Sequence, residues 1–430
     1  MSMIGICKAR APYRNMLSPR PSAARSCFQN PGVILAKMLK PGGSVWFVLV
    51  FLAGSVLAQA PFPQRSTFEG QLSFVLANDK LSLSIWERGG AIVDLVLKDD
   101  PEKLSPLWNP VRLARELGQT REAVGSAGHF VCVDGFGPPS TEELAAGIPM
   151  HGEAHFEKWD VVKAAKNGAT TEIAFRARLP IVQEIFSRTF RIVEGENVVY
   201  VDSTLENELG GDRPVAWAEH TTIGSPFLSS GVALSSISGT RAQNRPYQGT
   251  GNPGAERRLA SGKDFTWPMA QLVDGKLTDL TAPPEGAHFL DHATVLVDPA
   301  LKYGWVATVQ TAKRLVLGYV FRRTDYPWVQ NWGNYPSSGK FSRGLEFATQ
   351  PYDEPRRDAI AKNGMFGAPT FRWLPAKSAI HTSFLMFYAH TPADFGKVEN
   401  VRFENGTIAI EDGAKHKITL PASLPLSDRP

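Results

Sequence analysis

The most chemically suggestive stretch of the chain is HGEAH, within GIPMHGEAHFEKWD at residues 147–160. Two histidines and a glutamate occupy alternate positions, so an extended backbone would place His151, Glu153 and His155 on one face. Three such side chains together suit a metal ion or the hydroxyls of a sugar. They are also compatible with a solvated strand edge, and the rest of the sequence has to decide.

The metal interpretation is the weaker of the two chemical ones. A metal held by ring nitrogens usually needs a fourth ligand and an outer shell that orients the first. No Cys/His cluster elsewhere in the sequence completes such a set, and HGEAH is not the His-Glu-x-x-His helix of zinc proteases. We therefore expect neither a metal nor another cofactor, and we expect activity to survive chelation.

Two further stretches each hold a titratable side chain in a strand-like run, and the histidine of the first is also compatible with a partly buried structural residue. AWAEHTTIGSPFL (216–228) places His220 after a strand-like run and before a Gly/Pro turn. RGLEFATQP (343–351) places Glu346 between Leu345 and Phe347, so strand alternation sends the carboxylate to the opposite face. On a pocket wall, that glutamate could act as a base; on a solvated face, it would be ordinary.

Strands must position these residues. TEIAFRARL (171–179) alternates apolar and polar residues, and EIFSRTFRIV and ENVVYVDSTLEN continue with β-branched and aromatic runs. Near the C-terminus, Asn405-Gly406 and Asp412-Gly413 predict hairpin turns. STEELAAG (140–147) predicts one short helix, and residues 236–265 predict a long loop. The fold class is all-β with few short helices.

Composition and the N-terminus limit the partners. The chain has 430 residues, of which 43% are hydrophobic and 20% are charged, so it has enough apolar side chains for a core. Its net charge of +4, without a basic cluster, gives no electrostatic argument for nucleic-acid binding, and a small molecule is the expected partner.

An apolar run at 45–57 follows two lysines and precedes Ala58-Gln59-Ala60, which indicates a secretory signal peptide. We expect residues 1–60 to be an N-terminal extension with that signal, and 61–430 to be a single domain. After cleavage of the signal, the mature protein would be exported, periplasmic or secreted, and without membrane attachment; an uncleaved membrane anchor is the alternative.

The order of the motifs resembles a known family. HGEAHFEKWDVV, AEHTTIGSPF and GLEFATQP resemble the His-Gly segment, the catalytic-histidine segment and the catalytic-glutamate segment of the aldose 1-epimerase (galactose mutarotase) superfamily. GHFVCVDGFGPP (128–139) is similar to the Gly-rich approach to that His-Gly in the branch that includes hexose-6-phosphate epimerases. The resemblance covers most of the chain after residue 60, in order and spacing.

The resemblance implies a large twisted antiparallel β-sandwich of the galactose mutarotase-like kind. It implies His220 as general acid, Glu346 as general base and His151 as a substrate-binding or auxiliary acid residue. Glu153 and His155 of the same segment, with Asp325, Trp328 and Asn331 of DYPWVQNWGNYP, are the other candidates for sugar contacts. The arginine that usually precedes the His-Gly segment has no counterpart, because the matching place reads SAGHF, which argues against a phosphorylated sugar.

Two functions follow from this reading. The first is an exported enzyme that interconverts the anomers of an aldose or of an oligosaccharide end by acid/base ring opening. The alternative is a non-catalytic carbohydrate-binding protein on the same fold. A polysaccharide lyase or hydrolase subunit is a third and weaker alternative, since it would require a second carboxylate or a tyrosine base that the motifs do not place.

Overall fold

The computed structural model describes residues 62–123, 125–247, 257–286 and 288–428. All of them belong to one compact unit. The predicted signal peptide and N-terminal extension lie outside the described residues, and the domain boundary near residue 60 stays a prediction. Within the described residues, none of the helices is long and apolar enough to cross a membrane.

Strands make up most of the described chain. The first thirteen are β1 (Gln64–Phe68), β2 (Gln71–Ala77), β3 (Leu81–Trp86), β4 (Ile92–Leu97), β5 (His129–Val133), β6 (Asp160–Asn167), β7 (Thr170–Leu179), β8 (Glu184–Val193), β9 (Val198–Asn207), β10 (Arg213–Val215), β11 (Trp217–Gly224), β12 (Ala233–Ile237) and β13 (Arg241–Asn244). The others are β14 (Asp264–Thr266), β15 (Met269–Gln271), β16 (Leu277–Asp279), β17 (Phe289–Leu296), β18 (Tyr303–Gln310), β19 (Leu315–Arg322), β20 (Trp328–Tyr335), β21 (Ser342–Ala348), β22 (Arg372–Leu374), β23 (Ala379–His390), β24 (Val398–Glu404), β25 (Thr407–Asp412) and β26 (Lys417–Pro421).

Three short helices interrupt the strands. They are α1 (Pro110–Glu116), α2 (Thr141–Ala145) and α3 (Arg356–Lys362). The sequence predicted α2, and its N-terminus has the expected capping box, in which the Ser140 side chain accepts from the Glu143 amide and the Glu143 carboxylate accepts from the Ser140 amide. The sequence analysis did not predict α1 or α3.

Two antiparallel sheets form the body of the molecule. The larger one has the strand order β1-β2-β3-β4-β5-β11-β21-β20-β17-β13-β14-β15-β16, and the other has the order β12-β18-β19-β23-β9-β8-β7-β6. Strands β10 and β22 form a small ribbon, and β24, β25 and β26 form a separate three-stranded sheet. The predicted all-β antiparallel fold is confirmed.

Each face of the larger sheet has its own environment. Its inner face packs on the eight-stranded sheet, and the core between them includes Leu83 and Phe347 from one side and Phe186 and Phe384 from the other. A smaller apolar cluster, which includes Phe130, covers part of the outer face. A third cluster packs the three-stranded sheet against the other side of the eight-stranded sheet. The outer face of the larger sheet is therefore covered by an apolar cluster only in part.

The local predictions were largely correct. The alternating segments form β7, β8 and β9, because their apolar residues reach the core at every second position. Asn405 and Gly406 have φ of +50° and +72° and turn β24 into β25 as predicted. The long loop predicted at 236–265 was wrong in part, because β13 lies within it and pairs with β17.

Candidate functional site

The two sequence-predicted catalytic side chains meet on the outer face of the larger sheet. The register of β11 on β21 pairs Thr222 with Gly344, so His220 stands directly opposite Glu346. His220 Nε2 lies 3.2 Å from Glu346 Oε1. His220 is 8% exposed and Glu346 is 2% exposed. A histidine and a carboxylate are therefore within proton-transfer distance in surroundings that largely exclude water.

Strand alternation explains why both side chains point outwards. Leu345 and Phe347 belong to the core between the sheets, so Glu346 between them faces the other way. On β11, Trp217 belongs to the same core, and three positions further on His220 faces outwards. The apolar neighbours Leu345 and Phe347, which appear to bury Glu346 in the sequence, are what turns its carboxylate towards the site.

Phe130 forms the floor of the site beneath His220. It is the cross-strand partner of His220 on β5, and the two rings are stacked with centroids 4.1 Å apart and planes at 22°. Phe136 approaches the imidazole edge-on, with centroids 6.3 Å apart. His220 Nδ1 also lies 2.8 Å from Thr222 Oγ1. The stack and this hydrogen bond fix the imidazole so that Nε2 faces Glu346.

The HGEAH segment is a turn, so the condition of an extended backbone, under which alternation would place all three side chains on one face, is not met. His151 has a φ of +66°, and the amides of Phe156 and Glu157 donate to the Glu153 carbonyl at 2.9 and 3.2 Å. The turn brings the rings of His151 and His155 within 6.0 Å of each other by a route other than strand alternation.

Gly152 makes this turn possible. It has a φ of +79°, and a Cβ at that position would meet the Val133 carbonyl oxygen at 2.2 Å. A bridge between Val133 and Gly152 joins the turn to the end of β5. The segment is thus anchored to the strand that carries Phe130.

Glu153 is separated from the two histidines by the same turn. Its carboxylate accepts hydrogen bonds from the amides of Ile181 and Val182 at 3.0 and 2.9 Å, and the residue is buried. Because both oxygens are engaged by the backbone after β7, this side chain holds the turn in place. We therefore leave Glu153 out of the candidate site, which corrects the sequence prediction.

His151 completes the face beside His220. Its ring is 5.1 Å from the His220 ring, with the planes at 88°. The Gly137 amide donates to His151 Nδ1 at 3.2 Å, so the proton of the neutral ring is on Nε2. Burial lowers the pKa of His151 to about 4, against an opposing effect of Asp353. At neutral pH, His151 is therefore an uncharged hydrogen-bond donor.

His155 lies behind His151 and supports it. Its ring packs against Phe130 and Phe156, with centroids 5.4 and 4.0 Å away. The residue is buried, and burial together with the neighbouring His151 lowers the pKa of His155 to about 3. Its position is that of a packing residue, because His151 stands between it and His220.

Burial shifts the pKa values of the two facing groups in opposite directions. It lowers the pKa of His220 well below its ordinary value, and the nearby His151 and His155 lower it further. Burial raises the pKa of Glu346 well above its ordinary value, and the charge of Asp353 adds to this. The two opposite shifts favour a shared proton on Glu346 over one on His220.

Gln330 stands on the other side of Glu346. It is the cross-strand partner of Glu346 on β20, and its Oε1 accepts from His292 Nε2 at 2.7 Å and from the Asp353 amide at 3.2 Å. Gln330 Nε2 and Glu346 Oε1 are buried and have no hydrogen-bond partner among the described residues. A neighbouring donor and acceptor without partners suit a hydroxyl, which both accepts and donates.

The sequence analysis missed four residues of this site, namely Gln330, His292, Asp353 and Arg245. Gln330 lies in the aromatic, amide-rich segment 326–336 that was singled out, but other members of it were chosen. Asp353 follows Glu346 by seven residues. His292 and Arg245 carry no local signal, since only the pairing of β13, β17 and β20 brings them to the site.

Asp325 and Trp328 have protein partners of their own. Asp325 precedes β20 and pairs with Arg322 at 2.8 Å and Arg372 at 3.5 Å. Trp328 is fully buried, and its Nε1 donates to the Pro369 carbonyl at 2.7 Å. Neither side chain belongs to the group around Glu346, so the prediction that they contact the sugar is not carried forward.

Asn331 points away from the site. It alternates with Gln330 and shares its face of β20 with Val329, which belongs to the core between the sheets. Ala293, its cross-strand partner, lies in that core as well. The prediction of Asn331 as a sugar contact is corrected for this reason.

A metal has no evident place in the part of the chain that the structure describes. No group of three or more His, Cys, Asp or Glu side chains there has the arrangement that would hold an ion. The free thiol of Cys132 lies 3.5 Å from His151 Nδ1, but the Gly137 amide already donates to that nitrogen.

Comparison with solved structures identifies the architecture. The chain is similar to a candidate aldose 1-epimerase from Klebsiella pneumoniae subsp. pneumoniae MGH 78578, with 14% identity and a TM-score of 0.53 over 76% of this chain and 82% of that one. It is also similar to a galactose mutarotase-like protein from Clostridium acetobutylicum, with 12% identity and a TM-score of 0.51 over 76% and 98% of the two chains. A third similar structure is that of a galactose mutarotase related enzyme from Lactobacillus acidophilus, with 11% identity and a TM-score of 0.50 over 74% of this chain and 98% of that one.

No family model and no curated protein matches the sequence. Likeness at these identities establishes the fold, and the chemistry has to be argued from the site. The resemblance seen in the sequence is confirmed at the level of the fold, which is galactose mutarotase-like.

Proposed function

We propose that this protein is an exported enzyme that interconverts the anomers of a sugar. The observation that carries the proposal is the facing pair, with His220 Nε2 and Glu346 Oε1 3.2 Å apart on the outer face of the larger sheet. Anomer exchange needs one group that takes a proton from the anomeric hydroxyl and another that gives one to the ring oxygen. A carboxylate and a histidine that share one proton have this capacity.

Ring opening uses the pair with the proton on His220. Glu346 takes the proton of the anomeric hydroxyl, the bond between the anomeric carbon and the ring oxygen breaks, and the ring oxygen takes the proton of His220. The products are an open-chain aldehyde, a neutral Glu346 and a neutral His220. Rotation about the bond next to the aldehyde then presents its other face.

Ring closure uses the reverse arrangement. His220 takes the proton of the attacking hydroxyl, the ring bond re-forms, and the former carbonyl oxygen takes the proton of Glu346. The raised pKa of Glu346 and the lowered pKa of His220 favour the distribution of protons from which closure starts. Closure leaves His220 protonated and Glu346 ionised, which is the arrangement from which opening starts. A protein with the proton on Glu346 reaches the same arrangement by proton transfer to His220 across the 3.2 Å gap.

The neighbouring side chains hold the sugar in this scheme. Phe130 fixes the plane of His220, and the Nε2 proton of His151 is free to bind a sugar oxygen, because its Nδ1 accepts from Gly137. Gln330 Nε2 supplies a second donor beside Glu346. The ligand is a small carbohydrate, either an aldose or the reducing end of an oligosaccharide.

Export is part of the proposal and rests on the apolar run at 45–57 and the Ala-Gln-Ala that follows it. Intact mass of the protein recovered from the medium or periplasm of its own host should correspond to a start between residues 59 and 61. A cytoplasmic protein that retains the apolar run would contradict export.

The test of function is acceleration of mutarotation across a panel of α-anomers of neutral aldoses and uronic acids, followed by polarimetry. We expect a rate proportional to protein concentration for at least one sugar. His390→Asn is the control for catalysis by exposed imidazole, because His390 lies at the end of β23 in the other sheet with 46% of its side chain exposed. A sugar that binds without acceleration would favour the carbohydrate-binding alternative.

A further inference from the structure

Asp353 lies at the edge of the candidate site, and hydrogen bonds hold it in place. It lies in the segment after β21, where the Arg245 guanidinium donates to its carboxylate and, at 2.7 Å, to its carbonyl oxygen. Its own amide donates to Gln330 Oε1 at 3.2 Å. The backbone and the side chain of Asp353 are therefore both held by residues of other strands.

Two routes connect Asp353 to the facing pair. On one side, Gln330 joins it to Glu346 as the cross-strand partner of that glutamate. On the other side, a Cβ on Gly137 would meet the Asp353 carbonyl oxygen at 2.5 Å, and the Gly137 amide binds His151. Asp353 and His151 thus stand on either side of Gly137, and the charge of Asp353 is close enough to Glu346 to raise the pKa of that glutamate.

The Asp353 carboxylate is partly exposed to solvent, whereas that of Glu346 is buried. Its side chain is 23% exposed, whereas that of Glu346 is 2% exposed. One carboxylate oxygen faces Arg245 and also lies 3.7 Å from His292 Nδ1. No hydrogen bond occupies the other oxygen within the described residues, and a solvent-accessible carboxylate oxygen is a strong acceptor for a hydroxyl.

We propose that Asp353 contacts the substrate and accepts a hydrogen bond from a ring hydroxyl of the sugar, while Arg245 holds the carboxylate in place. The proposal rests on the proposed function, since it gives Asp353 a place beside the same pair. It adds a residue that selects sugars by a hydroxyl, and it makes Arg245 a positioning residue. The charge of Asp353 also contributes to the raised pKa of Glu346, which supplies an independent readout.

The test compares Asp353→Asn and Asp353→Glu with Glu354→Gln. Glu354 is the matched control, because it is the next residue and its carboxylate is bound by Lys362 at 2.7 and 2.9 Å. For the sugar found active with the wild type, kcat/KM and sugar binding are measured against pH, and again with monodeoxy analogues of that sugar.

We expect Asp353→Asn to lower kcat/KM about tenfold or more, as for a lost charge-assisted hydrogen bond, and to move the alkaline limb of the pH profile to lower pH. Asp353→Glu should also lower kcat/KM. Because this variant keeps the charge, it should leave the alkaline limb in place. With one of the monodeoxy analogues, kcat/KM should be the same for the wild type and for Asp353→Asn, because that analogue lacks the hydroxyl that Asp353 contacts.

Wild-type kcat/KM and an unmoved alkaline limb in Asp353→Asn would overturn the proposal and leave the proposed function standing. A wild type that binds sugar without turnover would contradict the proposed function. In that case, weaker sugar binding by Asp353→Asn together with unchanged binding by Glu354→Gln would support the Asp353 contact, and unchanged binding by both would overturn it. Failure of the wild type both to bind and to turn over any sugar would overturn both.

Discussion

Glu219 and Glu346 are two buried glutamates on neighbouring strands whose surroundings give them opposite properties. Glu219 faces the core from β11, and its carboxylate accepts from Arg188, from Trp217 Nε1 at 3.1 Å and from the Tyr326 hydroxyl at 3.1 Å. His129 Nε2 lies 2.9 Å from its other oxygen. Burial raises the pKa of Glu219, but Arg188 and His129 outweigh it and lower the pKa to about 2.

Glu346 has equal burial and no such partners. Its Oε1 has no aligned hydrogen bond within the described residues, and burial and the nearby Asp353 raise the pKa of Glu346 well above its ordinary value. The contrast shows that burial alone does not decide what a carboxylate does. A fully paired carboxylate holds the two sheets together, and one left with few partners keeps a proton that it can transfer.

The largest effect that this comparison predicts is on turnover. Glu346→Gln should lower kcat by about 10² to 10⁴, because the amide cannot exchange the anomeric proton. The folded state should be retained, since no ion pair holding the sheets together is lost. Activity of the purified variant and its thermal unfolding measure both parts; a variant that unfolds, or one with wild-type kcat, would break the comparison.

Glu219→Gln should show the converse behaviour. Removal of the charge leaves the Arg188 guanidinium buried between the sheets, and breaking a buried pair typically lowers the free energy of unfolding by about 3–5 kcal/mol. Urea unfolding monitored by tryptophan fluorescence gives this quantity, with Glu346→Gln as the matched control. Equal stabilities of the two variants would show that Glu219 and Glu346 do not differ in the way described.

The pH dependence of stability should have opposite signs for the two groups. The lowered pKa of Glu219 gives stability that is present above the ordinary glutamate pKa and is lost as the pH falls towards 2. The raised pKa of Glu346 gives the reverse, because the folded state holds a proton that the unfolded state releases. Between the ordinary glutamate pKa of the unfolded chain and the raised pKa of Glu346 in the folded protein, the contribution of Glu346 to stability falls by about 1.4 kcal/mol for each unit by which the pH rises.

Unfolding free energies at several pH values above 5 test this sign. The wild type should lose more stability with rising pH than Glu346→Gln does, because the glutamine carries no proton to release. Parallel curves for the two proteins would mean that Glu346 is ionised throughout.

The smallest effect should come from His151. His151→Asn removes one neutral donor to the sugar, and such a hydrogen bond contributes about 0.5–1.5 kcal/mol. We expect KM to rise by about 2- to 10-fold, with little change in kcat. Steady-state kinetics separates the two constants. A fall in kcat as large as that of Glu346→Gln would instead assign His151 to the proton-transfer pair.

Local sequence patterns were sufficient for the strands, whereas the family resemblance was needed to single out His220 and Glu346. Alternation correctly indicated β7 to β9, and it also indicated that Glu346 turns away from Leu345 and Phe347. It failed at HGEAH, because the positive φ of Gly152 and its contact with Val133 depend on a distant strand.

The partners of Glu346 could not be predicted in the same way. Gln330 and Asp353 become its neighbours through the pairing of β20 with β21 and a bond to Arg245 over a hundred positions earlier. Conversely, Asn331 differs from Gln330 by one position and faces the core. A single step along a strand decides between site and core, and the register that fixes it is a property of the whole sheet.

The central claim is that Glu346 and His220 act as one acid/base unit, and a double-mutant cycle on catalysed anomer exchange tests it most directly. The exchange rate is measured by saturation-transfer NMR for the wild type, Glu346→Gln, His220→Asn and the double variant, with the active sugar. Because each group needs the other, either single variant should be nearly as slow as the double variant. Near wild-type exchange in both single variants, or losses that simply multiply in the double variant, would contradict the claim.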